Sequence, residues 1–221
     1  MIVKTMVTSF KETTVIPSLG DDIQYASQTD VCVMLTGETG VGKRSVADMI
    51  HQLSPRRRGP FVVVTGADAL GSAAIAAAQD GTLLIQEVET LTAAAQRQLL
   101  RYVDRQTGAC VNVRFMTATS VNLFDRVQAG TFLDDLFYRL NIIHLVIHPL
   151  RERPEDIPVM FHHYLSLHSP RRARRLSTAA RRRLIEYPWP GNIAELKTVT
   201  LKLSADDLPD IIEPEHLPIS G

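Results

Sequence analysis

Apolar residues recur along this chain in two rhythms. Short dense runs end in glycine or a polar residue: VCVMLTG, FVVVTG, GTLLIQE, VNVRFMTATS and NIIHLVI. Dense, partly β-branched runs of this length predict strands buried on both faces. Between them the spacing changes. KRSVADMIHQL places Val46, Met49, Ile50 and Leu53 on one helical face, and TAAAQRQLLRYVD does the same with Leu99, Leu100 and Val103, with Thr92 as N-cap. DDIQYASQTD, the alanine-rich AAIAAAQD and FLDDLFYRL predict further helices. Strands alternating with helices predict an α/β fold with a parallel sheet covered on both faces.

After HPLRERPEDIP the texture becomes helical throughout: PVMFHHYLSLH, STAARRRLIEY and NIAELKTVTLKL, with Trp189 anchoring the turn in YPWPGN. This predicts two domains, an α/β core over residues 1–152 and a small helical domain over 153–221. A chain of 221 residues suffices for both. Composition adds little: 45% hydrophobic, 22% charged and a net charge of zero, which suggests neither a nucleic-acid nor a membrane partner. No apolar run approaches the roughly 18 residues of a membrane span, and the start lacks a basic-then-apolar leader. Cys32 and Cys110 sit in apolar contexts and read as buried reduced thiols. A cytoplasmic protein is the expectation.

The chemistry concentrates after the first strand. Gly37, Glu38, Thr39, Gly40, Val41, Gly42 and Lys43 match G-x-x-x-x-G-K between a predicted strand and a predicted helix. Glycines let backbone N–H groups close around phosphates, the helix N-terminus adds a positive field, and the lysine adds a point charge. Arg44 stands where many such loops place Ser or Thr to hold magnesium, and Ser45 comes one position late.

Four stretches carry a more specific resemblance: TGETGVGKRSVADMIHQLSPRRRGPFVVV, GTLLIQEVETLTAAAQRQLLRYVD, VRFMTATSVNLFDRVQAGTFLDDLFYRLNIIHLVIHPLRERPEDIP and YPWPGNIAELKTV. In this order they resemble the AAA+ domain of sigma-54-dependent transcription activators, the bacterial enhancer-binding proteins, from about Val31 to Pro218. The resemblance implies an AAA+ P-loop core with a five-stranded parallel sheet, a small α-helical lid, ATP or ADP held between subunits, and a ring. Active relatives use ATP hydrolysis to remodel promoter-bound polymerase.

Several positions depart from that pattern. The family's long insertion with its G-A-F-T-G-A loop, which touches sigma factor, has no counterpart in VVVTGADALGSAAIAAAQDGTLL, where Gly71-Ser72 stands at its place. Gln86 replaces the Walker B aspartate. A neutral amide offers magnesium an oxygen without charge, and a unit charge at about 4 Å is worth roughly 4 kcal/mol at an effective dielectric of ~20 before screening. Glu87 occupies the place of the water-activating acid. Thr119 matches the family's sensor threonine, while Ser120 stands where Asn is usual. Of two interface arginines, Leu133 replaces one and Arg139 remains, either as a trans-acting finger or as a partner of Asp134 or Asp135 on its own helix. Ala194 replaces the lid's sensor arginine. The segment before the loop is shortened, so the usual adenine contacts have no obvious place.

Three functions stay open on sequence. One is a degenerate regulatory module that binds ATP or ADP with weakened Mg2+, and joins itself or AAA+ relatives as a homo- or hetero-oligomer without contacting sigma-54. The second is a slow ATPase using Lys43, Glu87 and Arg139. The third is a non-catalytic scaffold or sensor of another ligand. Seven arginines between Arg171 and Arg183 form a solvated lid face or a site for an acidic partner. No helix-turn-helix follows the lid here, so sequence-specific DNA binding is not expected. His162, His163 and His168 lack the Cys or acid neighbours of a metal site, and His144 and His148 read as structural.

Overall fold

The computed structural model describes residues 16–66, 71–104, 112–168, 174–205 and 209–219. Cys110, Arg171, Arg172 and residues 67–70 lie outside the described residues, as does most of the weakly patterned start. Five strands form one parallel sheet: β1 (Val33–Thr36), β2 (Phe61–Thr65), β3 (Thr82–Gln86), β4 (Arg114–Thr119) and β5 (Ile143–Val146), in the order β2-β3-β4-β1-β5. Central strands carry continuous buried runs. Leu83, Leu84 and Ile85 on β3 are all fully enclosed, as dense hydrophobic strands must be when both faces are covered. Edge strand β5 alternates instead, burying Leu145 between exposed His144 and Val146.

The chain divides into two compact units. The α/β unit comprises Asp21–Gly37 and Lys43–Ile147. Its helices are α1 (Gly20–Ser27), which starts one residue outside it, α2 (Lys43–Leu53), α3 (Ser72–Ala77), α4 (Ala93–Asp104), α5 (Leu123–Gln128) and α6 (Asp134–Leu140). Thr92 caps α4 as its sequence predicts, accepting the Ala95 amide at 3.3 Å. Helix α5 was not legible from apolar spacing. It is held by Asn122, whose side chain accepts the Phe124 amide at 3.1 Å.

At the amino edge of the sheet Arg56 binds both carboxylate oxygens of Asp30, at 2.7 and 2.8 Å, and the side-chain oxygen of Asn112 at 2.7 Å. One side chain thus ties the segments entering β1 and β4. Nearby Arg114 is fully buried and donates to the Ala26 carbonyl, ending α1.

The second unit comprises the described residues among Met1–Gly20, Glu38–Gly42 and His148–Gly221. It contains α7 (Asp156–His168), α8 (Thr178–Glu186) and α9 (Asn192–Ala205). Phe161, Leu165, Leu196 and Leu203 bury its core, and Trp189, fully enclosed, donates its indole N–H to the Leu184 carbonyl at 2.8 Å. This unit is not purely helical. β6 (Arg175–Leu176) and β7 (Ile211–Ile212) pair in parallel, a pair too short to show as periodicity. Three of the described arginines have internal work: Arg174 is buried and donates to the Leu203 carbonyl, Arg182 pairs with Glu186, and Arg183 donates to the carbonyls of Pro214 and Ile219.

Candidate nucleotide site

The phosphate loop leaves β1 at Thr36 and enters α2 at Lys43. Its stem residues, Gly37 and Lys43, belong to the α/β unit, and its tip, Glu38–Gly42, belongs with the helical unit. Gly40 (φ +83°) and Gly42 (φ +100°) take left-handed backbone that side chains rarely adopt. A Cβ on Gly40 would stand 2.4 Å from the Gly191 carbonyl oxygen, so glycine is also required there by space.

The tip is gripped through its carbonyls. The Thr39 oxygen accepts the side-chain amide of Asn192 at 3.2 Å, the Gly40 oxygen accepts the backbone N–H of Ala194 at 3.3 Å, and the Val41 oxygen accepts Arg153 at 3.3 Å. All peptides among the described residues are trans. In a trans peptide the N–H opposes the C=O. The amides of Gly40, Val41 and Gly42 are therefore turned away from the groups that hold the carbonyls, and successive amides turned outward in this way make an anion-binding nest. The Val41 amide donates to the Glu38 carbonyl at 3.4 Å.

Around the grip runs an ionic network. Arg151 binds both oxygens of Glu38, at 2.9 and 2.5 Å, and Asn192 adds a third bond at 3.2 Å. These bonds, Arg151 first, hold the Glu38 carboxyl down at about 2. Arg153 is buried and fastened by Asp156 at 3.3 Å, which accepts Ser18 at 2.7 Å. Burial lowers the Arg153 pKa, with Asp156 opposing it.

On the α/β unit, Lys43 reaches back to the Gly37 carbonyl at 2.6 Å. Burial lowers its pKa, and the charges of Glu89 and Glu87 act in the opposite direction. Arg44 is exposed and Ser45 is half-buried at the start of α2.

The carboxyl ends of β3, β4 and β1 lie side by side, with Thr36 in register with Thr119 and Gln86 with Ala118. Gln86 ends β3 with its side-chain oxygen 3.5 Å from the Thr65 hydroxyl. Glu87 follows in a left-handed conformation (φ 53°), exposed, with its carbonyl accepting the amide and hydroxyl of Thr90. Thr119 is buried and its hydroxyl closes a local turn on Val121, accepting its amide at 3.2 Å and donating to its carbonyl at 3.3 Å.

Arg139 pairs with Asp104 at the end of α4, at 3.2 Å, and both side chains are exposed. Its partner is on another helix, neither Asp134 nor Asp135: Asp134 accepts the Asp135 amide at the start of α6 instead. His144 meets the Thr36 hydroxyl at 2.8 Å, and His148, beyond the end of β5, pairs with exposed Glu152. Among the described residues no group of three His, Cys, Asp or Glu side chains is placed to hold a metal.

Spacing did not single out Asn192, Arg151 or Arg153. The one local signal was PGN, a turn signature in which Asn tolerates left-handed backbone, and Asn192 has φ 52°.

Comparison with known proteins is consistent along the chain. A family model described as the sigma-54 interaction domain matches residues 10–150, and one described as the AAA+ ATPase lid domain matches residues 151–220. The sigma54-dependent transcriptional activator SfnR of Pseudomonas putida is 37% identical over 210 residues, covering 80% of this chain and 57% of SfnR. The C4-dicarboxylate transport regulatory protein DctD of Rhizobium meliloti is 35% identical over 218 residues, covering 84% and 47%. The chain spans about half the length of the curated relatives it matches. Crystal structures of Brucella abortus NtrX are similar: one with ADP at TM-score 0.77 and 27% identity, covering 96% of this chain and 56% of NtrX, and one with ATP at 0.79 and 28%, covering 91% and 52%.

Proposed function

From the premise that this chain belongs to the sigma-54 interaction domain family, with that family's AAA+ lid, we propose that it binds ATP or ADP and serves as a regulatory, weakly hydrolysing or non-hydrolysing module of transcription control. The observation that carries the reading is the phosphate loop, in which the carbonyls of Thr39, Gly40 and Val41 are all engaged and the following amides are turned outward. Those amides and the Lys43 ammonium are the groups that would hold the β- and γ-phosphates, with Gly37, Glu38 and Thr39 shaping the loop and Ser45 at the head of α2. NtrX, similar over nearly the whole chain, has been crystallised with ADP and with ATP.

The donor set suits phosphate better than magnesium. Gln86 brings a neutral amide oxygen and Arg44 brings a like charge to the position after Lys43, so Mg2+ affinity is low in this reading. Hydrolysis needs charge stabilisation at the transition state, and here the side chains of Ala194 and Leu133 have no donor, and Arg139 is engaged with Asp104. An exposed pair of this kind contributes at most about 1 kcal/mol, so a neighbouring subunit's nucleotide would compete for Arg139 at small cost. We therefore read Arg139 as the group this chain offers to another AAA+ subunit, in a homo- or hetero-oligomer.

The passage from β2 to β3, Thr65 to Thr82, holds the six-residue helix α3. On this reading it has no room for the family's sigma-contacting loop, and the module does not touch sigma-54. No helix among the described residues is long and apolar enough to cross a membrane, and a cytoplasmic site of action fits a transcription regulator.

A slow ATPase is the second reading. Glu87 favours it, an exposed carboxylate at the end of the strand beside Lys43's helix. Calorimetric titration with ATP and ADP, with and without Mg2+, paired with steady-state phosphate release on wild type and Glu87→Ala, separates the two. Binding with no Glu87-dependent release supports the regulatory module, and release lost in Glu87→Ala supports the ATPase.

A further inference from the structure

We propose that Asn192 is a positioning residue for the phosphate loop: its buried carboxamide fixes the outward turn of the loop's amides and couples their occupation to helix α9. The inference rests on the nucleotide reading above and goes beyond it, because no motif assigns Asn192 a part.

The side chain is fully buried and makes three hydrogen bonds. Its oxygen accepts the Leu150 amide at 2.9 Å, and its nitrogen divides between Glu38 Oε2 and the Thr39 carbonyl, both at 3.2 Å. The bond to Thr39 sets the plane of the 39–40 peptide and hence the direction of the Gly40 amide. The bond to Glu38 holds the carboxylate against Arg151, so the acid does not turn toward the loop's own amides and occupy them as an internal anion. Two residues further along the same helix, the Ala194 amide bonds the Gly40 carbonyl. Asn192 and Ala194 thus set two consecutive peptides from one helical turn. The backbone supports this: Asn192 is left-handed, and its amide donates to the Trp189 carbonyl at 2.8 Å, so the buried Trp189 fixes where the carboxamide stands.

A ligand that binds the Gly40 amide and takes the Val41 amide from the Glu38 carbonyl polarises the same peptides whose carbonyls Asn192 and Ala194 hold. Hydrogen bonds in such a chain strengthen one another. Nucleotide binding must then tighten the Ala194 amide bond, and by linkage loss of the Asn192 carboxamide must weaken nucleotide binding.

Asn192→Gly is the informative variant, since glycine keeps the left-handed backbone without strain and removes only the side chain. Titration with ADP should show affinity reduced by about tenfold or more, the loss of one buried, well-directed hydrogen bond. Hydrogen exchange supplies a readout that a purely structural role would not move: ADP slows exchange of the Ala194 amide in wild type and does so less in Asn192→Gly. A second test survives poor folding of that variant. Asn192→Asp keeps the acceptor for the Leu150 amide but removes the donor to the Thr39 carbonyl, and should weaken ADP binding as Asn192→Gly does. Wild type binding ADP with Asn192→Gly or Asn192→Asp unchanged overturns this proposal and leaves the nucleotide reading intact. Wild type failing to bind ADP overturns both.

Discussion

Replacing Gly40 by alanine tests the loop's construction with an internal control. The new methyl would meet two costs. One is the left-handed backbone at φ +83°, about 1–2 kcal/mol for an L residue. The other is a contact of 2.4 Å with the Gly191 carbonyl oxygen, a backbone atom that has no flexible end to move aside. Overpacking of this kind costs about 1–3 kcal/mol. Gly130 supplies the control: its φ is +70°, and a Cβ there meets nothing within 4 Å. Gly130→Ala therefore carries the backbone cost alone. The difference between the two variants, about 1–3 kcal/mol, falls on the loop, and relief requires the Gly40 carbonyl to leave the Ala194 amide. ADP affinity measured by calorimetry should fall about 5- to 100-fold in Gly40→Ala and stay at the wild-type value in Gly130→Ala. Amide exchange at Ala194 should rise only in the former. Equal ADP affinity in both variants would refute the claim that the loop's shape is set by close backbone contact with the turn at Gly191.

Other outcomes follow from single residues. Arg56→Ala leaves Asp30 and Asn112 without their shared partner and should cost about 2–3 kcal/mol in chemical denaturation of the α/β unit, while leaving ADP affinity unchanged. Arg139→Ala should change stability by under about 1 kcal/mol, since its pair with Asp104 is exposed and screened, yet abolish co-purification with an intact AAA+ activator. The Glu38 carboxyl is held below its unfolded value near 4.5, so its contribution is fully present above that pH and is lost only as pH falls through about 2. Exchange protection at Ala194, after correction for intrinsic rate, should therefore persist at pH 4. Burial pushes the Cys32 thiol up to about 11, leaving about one molecule in a thousand as thiolate at pH 8. Peptide-resolved alkylation should label Cys32 only after denaturation.

Much of the fold was legible because each strand is an unbroken apolar run and each long helix shows its spacing. Leu83-Leu84-Ile85 and the face of Leu99 and Val103 could be read as strand and helix from sequence, and they are buried as such. Helix α5 escaped because its six residues offer too little length for a period, and β6 and β7 because two residues have none. The site divides along the same line. Gly37 to Lys43 were visible because the chemistry is local: backbone amides and a lysine at fixed spacing. Asn192, Arg151 and Arg153 were not, because they act on the loop from more than a hundred residues away, and a lone Asn after Pro-Gly signals a turn before it signals a contact. Arg139 shows the converse. Its own helix offers two acids, yet geometry gives it Asp104 on another helix.

The account depends on the loop holding nucleotide phosphates through main-chain amides and Lys43. Calorimetric titration of wild type and Lys43→Ala with ADP and with ATP in the presence of Mg2+ tests it most directly. The prediction is saturable binding by wild type to one site per chain and its loss in Lys43→Ala. No heat of binding in wild type at millimolar nucleotide, with the protein folded by circular dichroism, would contradict it.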